Sequence, residues 1–162
     1  MMQSMGRSLL GLFGLTLLSM MGAQMAFGDS LVLCSKLSGK LVDQEGAGQS
    51  GIRIVRSWEW AWADKQGSDE VTTDADGSFL FPEVTGSSWT ARIVPHTPSI
   101  RQSVIAHGPD GAVEILAIDK GSYERDSELE GTGLTGPGIN VVCRIDKEPS
   151  ADGLYWGTCE GV

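Results

Sequence analysis

The residues in this sequence that could do chemistry are an alternating run of tryptophans, an acidic turn, three cysteines and two histidines. Trp58-Glu59-Trp60-Ala61-Trp62-Ala63 sets three indoles two residues apart, and in a strand all three project from one face. Packed inside, that face would continue Ile52 and Ile54, with Arg56 interrupting it. Displayed, it would be a stacking platform for sugar rings or an anchor for a protein partner. Both readings stay open, and Trp58, Trp60 and Trp62 are the candidate partner-binding residues. Asp74-x-Asp76-Gly77 has the opening of a calcium loop, but the twelfth position is Thr85 where a bidentate Glu is needed, so it reads as a turn. A serine nucleophile would need a Gly-x-Ser-x-Gly elbow or another Ser/His/acid set, and the elbow is absent. Neither His96 nor His107 sits at ligand spacing from a cysteine. No catalytic, cofactor-binding or metal-binding residue is therefore expected.

Three cysteines allow at most one intramolecular disulfide. Ile139, Val141, Cys143 and Ile145 share one parity of an expected strand, which turns Cys143 toward the core, and Cys159 follows a turn-rich segment. A Cys143–Cys159 bridge would pin the C-terminal tail. Cys34 falls in the other parity, with Lys36 and Lys40 opposite Leu33, Leu37 and Leu41, and is expected to be the odd one out. A disulfide requires an oxidising compartment, and the N-terminus fits export: Arg7, then the apolar run Leu9 to Met21, then the small residues of Ala26-Phe27-Gly28. Residues 1–28 read as a signal peptide cleaved before Asp29. The run is shorter than the ~20 residues of a spanning helix, so no membrane span is expected after cleavage, and the destination is periplasmic or secreted. Leu33 before Cys34 argues against lipidation.

Cleavage takes 28 of 162 residues and leaves 134, enough for one domain at 29–162. Of 12 basic residues only Arg7 is lost, leaving 11 against 21 acidic, a net of −10. Such a surface repels nucleic acid and anionic lipid, and suits a basic protein partner.

The elements that would position these residues are short alternating segments separated by Gly, Pro, Ser and Asp. Strands are expected at about 31–43, 51–63, 68–74, 78–82, 88–95, 101–107, 111–119 and 139–147, with an extended piece near 154–159. Gly121 to Gly138 reads as a long exposed Gly-rich loop, about 121–138. At the centre, Thr72-Thr73-Asp74-Ala75-Asp76-Gly77-Ser78-Phe79-Leu80-Phe81 reads as a hairpin that places Phe79 and Phe81 on one buried face. The fold class is all-β, a small β-sandwich with a C-terminal strand and a disulfide-pinned tail.

Ser38-Gly39-Lys40-Leu41-Val42-Asp43, Gly51-Ile52-Arg53-Ile54-Val55 and Thr72 to Pro82 together resemble the carboxypeptidase regulatory-like, transthyretin-related domain over about residues 34–95, and the resemblance implies that the sandwich is a small Greek-key one. Arg56-Ser57-x-Glu59-Trp60, the Ile139 to Cys143 strand and the late Cys159 are similar to an uncharacterised bacterial family of small exported proteins built on that domain. Some transthyretin-related proteins hydrolyse a purine-derived ring using clustered His and Arg and a Tyr-Arg-Gly-Ser ending. This chain ends Thr158-Cys159-Glu160-Gly161-Val162, so that activity is not implied. The expectation is a non-catalytic exported envelope protein that binds a protein partner, as an inhibitor or immunity protein against a toxin acting in the periplasm. The alternative is a carbohydrate-binding or cell-surface accessory module using the tryptophan row.

Overall fold

A computed structural model describes residues 30–153 and 155–162; the expected signal peptide, residues 1–28, and its cleavage point before Asp29 lie outside the described residues. In chain order the elements are β1 (Leu31–Cys34), β2 (Leu37–Val42), β3 (Arg53–Trp60), β4 (Lys65–Thr72), β5 (Ser78–Phe81), β6 (Val84–Gly86), helix α1 (Trp89–Ile93), β7 (Ile100–Gly108), β8 (Gly111–Lys120), β9 (Ile139–Arg144), β10 (Trp156–Gly157) and β11 (Cys159–Gly161). They form a five-stranded sheet ordered β10-β8-β7-β3-β4, a four-stranded sheet ordered β11-β9-β2-β5, and a small β1-β6 ribbon. The fold is the all-β sandwich expected from the alternation.

The main core lies between the two larger sheets. Leu37 and Leu41 of β2, Phe79 and Phe81 of β5, and Ile139 and Val141 of β9 meet Ile54, Val104, Ala106, Leu116 and Ile118 from the facing sheet. Each fully buried Leu, Ile or Phe contributes about 1.5–3 kcal/mol. A bulge in β8 opposite Val104/Ile105 turns both Ile115 and Leu116 inward. Gly39 sits where β2 is crowded from both neighbours: a Cβ there would lie 2.6 Å from Phe79 Cζ and 2.8 Å from Val141 Cγ2. A second cluster, Leu33, Cys34, Trp60, Ala91 and Ile100, fills the end covered by the β1-β6 ribbon and α1.

Several expectations are corrected. The central turn forms as read, with Ser78 N donating to Asp74 Oδ1 at 2.8 Å and Gly77 at φ 84°, but its two strands do not pair. β4 pairs with β3 and β5 with β2, so the segment is a crossover between sheets rather than a hairpin. Phe79 and Phe81 are buried on one face all the same. The first expected strand breaks at Ser35 and Lys36, and the register of β1 shifts between Val32 and Cys34. Parity therefore does not carry across the break, and Cys34 is fully buried rather than outward-facing, though it is the free cysteine as expected. Residues 88–95, read as a strand, hold α1, whose N-cap Ser88 accepts a bond from Ala91 N. Residues 121–138 are not a loose exposed loop, because Glu128 and Leu129 are buried and Asp126 N donates to Ser35 Oγ at 2.8 Å.

The C-terminal tail is pinned as expected. Cys143 on β9 and Cys159 on β11 are directly opposed and form a disulfide across 16 residues of sequence.

Candidate functional site

The tryptophan row divides at the end of β3. Trp58 and Trp60 lie on the inward face with Ile54 and Arg56. Trp58 is half-buried, its indole covering Gly67 on β4, and Trp60 is fully buried. The strand then stops, since Ala61–Ala63 form one 3-10 turn and Asp64 reverses the chain in the left-handed region at φ 49°. Trp62 therefore leaves the row, which corrects the expectation of three indoles on one face.

Arg56 does not interrupt the buried face as a misfit. Its guanidinium makes a two-pronged contact with Asp69 at 2.9 and 2.6 Å, donates to Pro82 O at 2.8 Å, and lies 4.8 Å over the Phe81 ring. A second interior pair joins Lys120 Nζ to Glu128 Oε2 at 3.1 Å, with side-chain exposures of 2% and 1%. Ser35 donates to the same carboxylate through its backbone N at 3.0 Å and its Oγ at 2.7 Å. Cys34 feels both pairs, and burial before anything else pushes its thiol from 9.0 up to about 12. A protonated, enclosed thiol is a poor nucleophile. Arg56, Lys120 and Glu128 are buried, and of these ionic groups Asp69 alone reaches the surface, its side chain 33% exposed.

At the ribbon-covered end, buried and displayed aromatic groups are linked. Trp60 Nε1 donates to Tyr123 Oη at 2.9 Å, and the two rings meet edge to face. Tyr123 Oη lies 2.8 Å from His96 Nε2, and His96 Nδ1 lies 2.8 Å from Val94 O. With the imidazole proton on Nδ1, every donor in this relay meets an acceptor. Trp62 stacks on His96 with centroids 3.8 Å apart and planes 16° from parallel, and its Nε1 points to Thr90 Oγ1. The relay holds α1 and its following residues against the sandwich. Outside that anchored layer are Trp89, 73% exposed, Ile93, 65%, Val94, 42%, and Trp62, 38%.

Trp89 and Ile93 lie four residues apart, on one face of α1. Ala91, on the other side, is buried in the end cluster. Sequence reasoning misses both because the polar/apolar alternation over 88–95 reads as a strand; Ser88 as a cap and the Trp89/Ile93 spacing are the signals that point to a helix. His96 and Tyr123 are also missed, because only the fold brings them to Trp60. Among the described residues no group of three His, Cys, Asp or Glu side chains is arranged to hold a metal ion, and no helix is long and apolar enough to cross a membrane.

Fold and site together define a disulfide-bonded β-sandwich that displays an apolar, aromatic end on an anchored base. Residues 37–148 match the family described as Domain of unknown function (DUF6795), and the chain belongs to that family. No curated protein matches the chain. Among solved structures, 3-chlorocatechol 1,2-dioxygenase from Rhodococcus opacus 1CP is similar over 83% of this chain and 60% of its own, at 15% identity and a TM-score of 0.35. This chain thus spans less than two thirds of that enzyme's length, and a likeness this distant carries no conclusion about activity.

Proposed function

We propose that this is a non-catalytic, exported envelope protein that binds another protein through the end carrying Trp62, Trp89, Ile93 and Val94. Inhibition of a toxin acting in the periplasm is the role such binding would serve. The observation that carries the reading is Trp89: a large indole, almost three quarters exposed, on a short helix whose opposite side is packed into the core. Water-exposed Trp beside aliphatic residues, on a base that costs little to order, is the composition of a binding hot spot. The Cys143–Cys159 disulfide supports an oxidising compartment. The carboxypeptidase regulatory-like, transthyretin-related assignment belongs to the same proposal, supported by Gly39, Gly77, Phe79 and Phe81 meeting in the core or at the turn leading into it. A sugar platform is the weaker reading. Trp60 is fully buried and Trp58 half-buried, Trp62 has one face against His96, and the side chains of Ile93 and Val94 offer a sugar no hydrogen bonds.

The test compares the wild type with Trp89→Ala/Ile93→Ser in capture from an envelope extract, with bound proteins identified by mass spectrometry, beside a glycan array. One protein retained by the wild type and lost by the variant supports the proposal. Equal retention by both, or Trp89-dependent glycan binding, overturns it.

A further inference from the structure

The charge around this end runs against that of the whole chain. The sequence carries 21 acidic residues, yet from Val84 to Pro109 there is no Asp or Glu, and that stretch contributes β6, α1, Val94, His96 and β7. Its charged side chains are cationic: Arg92 in the last turn of α1, and Arg101, which pairs with Asp119 on β8. Lys65, at the start of β4, reaches the same end, where its Nζ donates to Ser87 O at 3.2 Å, just before the Ser88 cap. Asp64, beside Lys65, is the acidic residue nearest Trp62 in sequence. Arg92 thus shares a concavity with Ser87, Ser88 and Trp89, and Lys65 reaches Ser87 with exposed Asp64 beside it, on a chain of net charge −9.

Two charge effects then act on a partner. The field of the whole molecule favours a basic protein at long range, but it is screened beyond about 8–10 Å at physiological salt. Within contact distance Arg92 and Lys65 decide, and there a carboxylate is favoured and an ammonium repelled. An apolar side chain seated against Trp89 and Ile93 would bring its sequence neighbours to Lys65 and Arg92.

We infer that this end recognises a protein segment presenting an apolar anchor flanked by Asp or Glu, rather than the basic segment that the net charge suggests. The inference rests on the partner-binding reading above and adds the chemistry of what is bound. A lipid surface would also meet apolar and cationic groups, but the acidic remainder of the molecule opposes approach to an anionic membrane.

The test is selection of phage-displayed random linear peptides on the exported protein, followed by affinity measurement with synthetic versions of those enriched. Trp89→Ala, Ile93→Ser, Lys65→Glu and Arg92→Glu change exposed side chains, and unchanged thermal unfolding confirms that each variant is folded. The expected peptides carry an aromatic or aliphatic anchor between acidic residues and weaken at least about tenfold on Trp89→Ala. Exchanging their acids for Lys should weaken binding to the wild type and restore it to Lys65→Glu or Arg92→Glu. Peptides that need Trp89 but carry neutral or basic flanks overturn this inference and leave the partner-binding reading standing. Peptides bound equally by wild type and Trp89→Ala/Ile93→Ser overturn both. Trp89-dependent sedimentation with phosphatidylglycerol vesicles, with no peptide enriched, overturns both in favour of a lipid surface.

Discussion

Glu128 is a charged side chain inside a small sandwich, and its surroundings explain how it is tolerated. One oxygen accepts from Ser35 N, the other from Ser35 Oγ and Lys120 Nζ, and its backbone carbonyl accepts from Tyr155 Oη. Removing one member of a buried pair strands the other without water. Glu128→Ala should therefore lower stability by about 3–5 kcal/mol in urea unfolding, and Lys120→Met added to it should recover part of that loss. A loss below about 1 kcal/mol would mean that water reaches Lys120 once the carboxylate is gone. Cys34, close to the same groups, makes a pH prediction. Its thiol, raised from 9.0 to about 12, stays protonated in the fold while the unfolded chain ionises. Tyr155 behaves alike, raised from 10.0 to about 12 by burial and then by Glu128. Because the folded values lie above the unfolded ones, stability is full below pH 9 and falls as pH rises toward about 12. Cys34→Ala should flatten the first part of that decline, and the native thiol should resist Ellman's reagent at neutral pH. Rapid labelling without denaturant would show that the end cluster opens.

At the scale of elements, the disulfide does what a three-residue edge strand cannot do alone. β11 pairs with β9 through Cys159, Glu160 and Gly161, with Val162 N donating to Asn140 O just beyond, and the covalent link adds its constraint to this short ladder. Replacing both Cys143 and Cys159 by Ala should cost roughly 3 kcal/mol, from the freedom returned to the unfolded loop, and hydrogen exchange should show residues 155–162 losing protection first. A loss under about 1 kcal/mol would assign the tail instead to β10 on β8 and to Tyr155. This bridge was legible because Cys143 alternates with Ile139 and Val141. The alternation that located β3, β7 and β8 was equally direct. The crossover after β4 was not legible, since Asp74, Asp76 and Gly77 build the same turn whether the flanking strands pair or part; pairing of β5 with β2 decides it. Nor was α1, because five residues hold barely one helical turn and Thr90-Ala91-Arg92-Ile93 alternates as a strand would. Of the tryptophan row, Trp58 and Trp60 were placed on one face, and the turn at Ala61–Ala63 removed Trp62.

Across the whole molecule the tryptophans separate into those that hold it together and those it displays, and a substitution series reads that division directly. Trp60 fills the end cluster, donates to Tyr123, and through Tyr123 and His96 fixes the backbone at Val94. Its replacement by Ala should cost about 3–5 kcal/mol through cavity formation, and should loosen α1, visible as lost hydrogen-exchange protection at Ala91 and Val94. Trp62 is half-anchored by His96, and Trp62→Ala should cost about 1 kcal/mol, the scale of one aromatic contact. Trp89 packs outward, so Trp89→Ala should leave the unfolding midpoint within about 0.5 kcal/mol of wild type while removing partner binding. The two ends of the series are thus predicted to move in opposite columns, stability for Trp60 and binding for Trp89. Trp60→Ala should affect binding only indirectly, by releasing the base on which the apolar end is mounted, and a second variant isolates that route. Tyr123→Phe keeps the ring and breaks the Trp60–Tyr123–His96 relay, so it should weaken binding while costing about 1–3 kcal/mol for the Trp60 Nε1 left without an acceptor, less than Trp60→Ala. If Tyr123→Phe binds as tightly as wild type, the relay is a packing detail and the displayed end needs no anchored base. If Trp89→Ala unfolds as readily as Trp60→Ala, Trp89 is part of the core and the exposed end is not a binding surface.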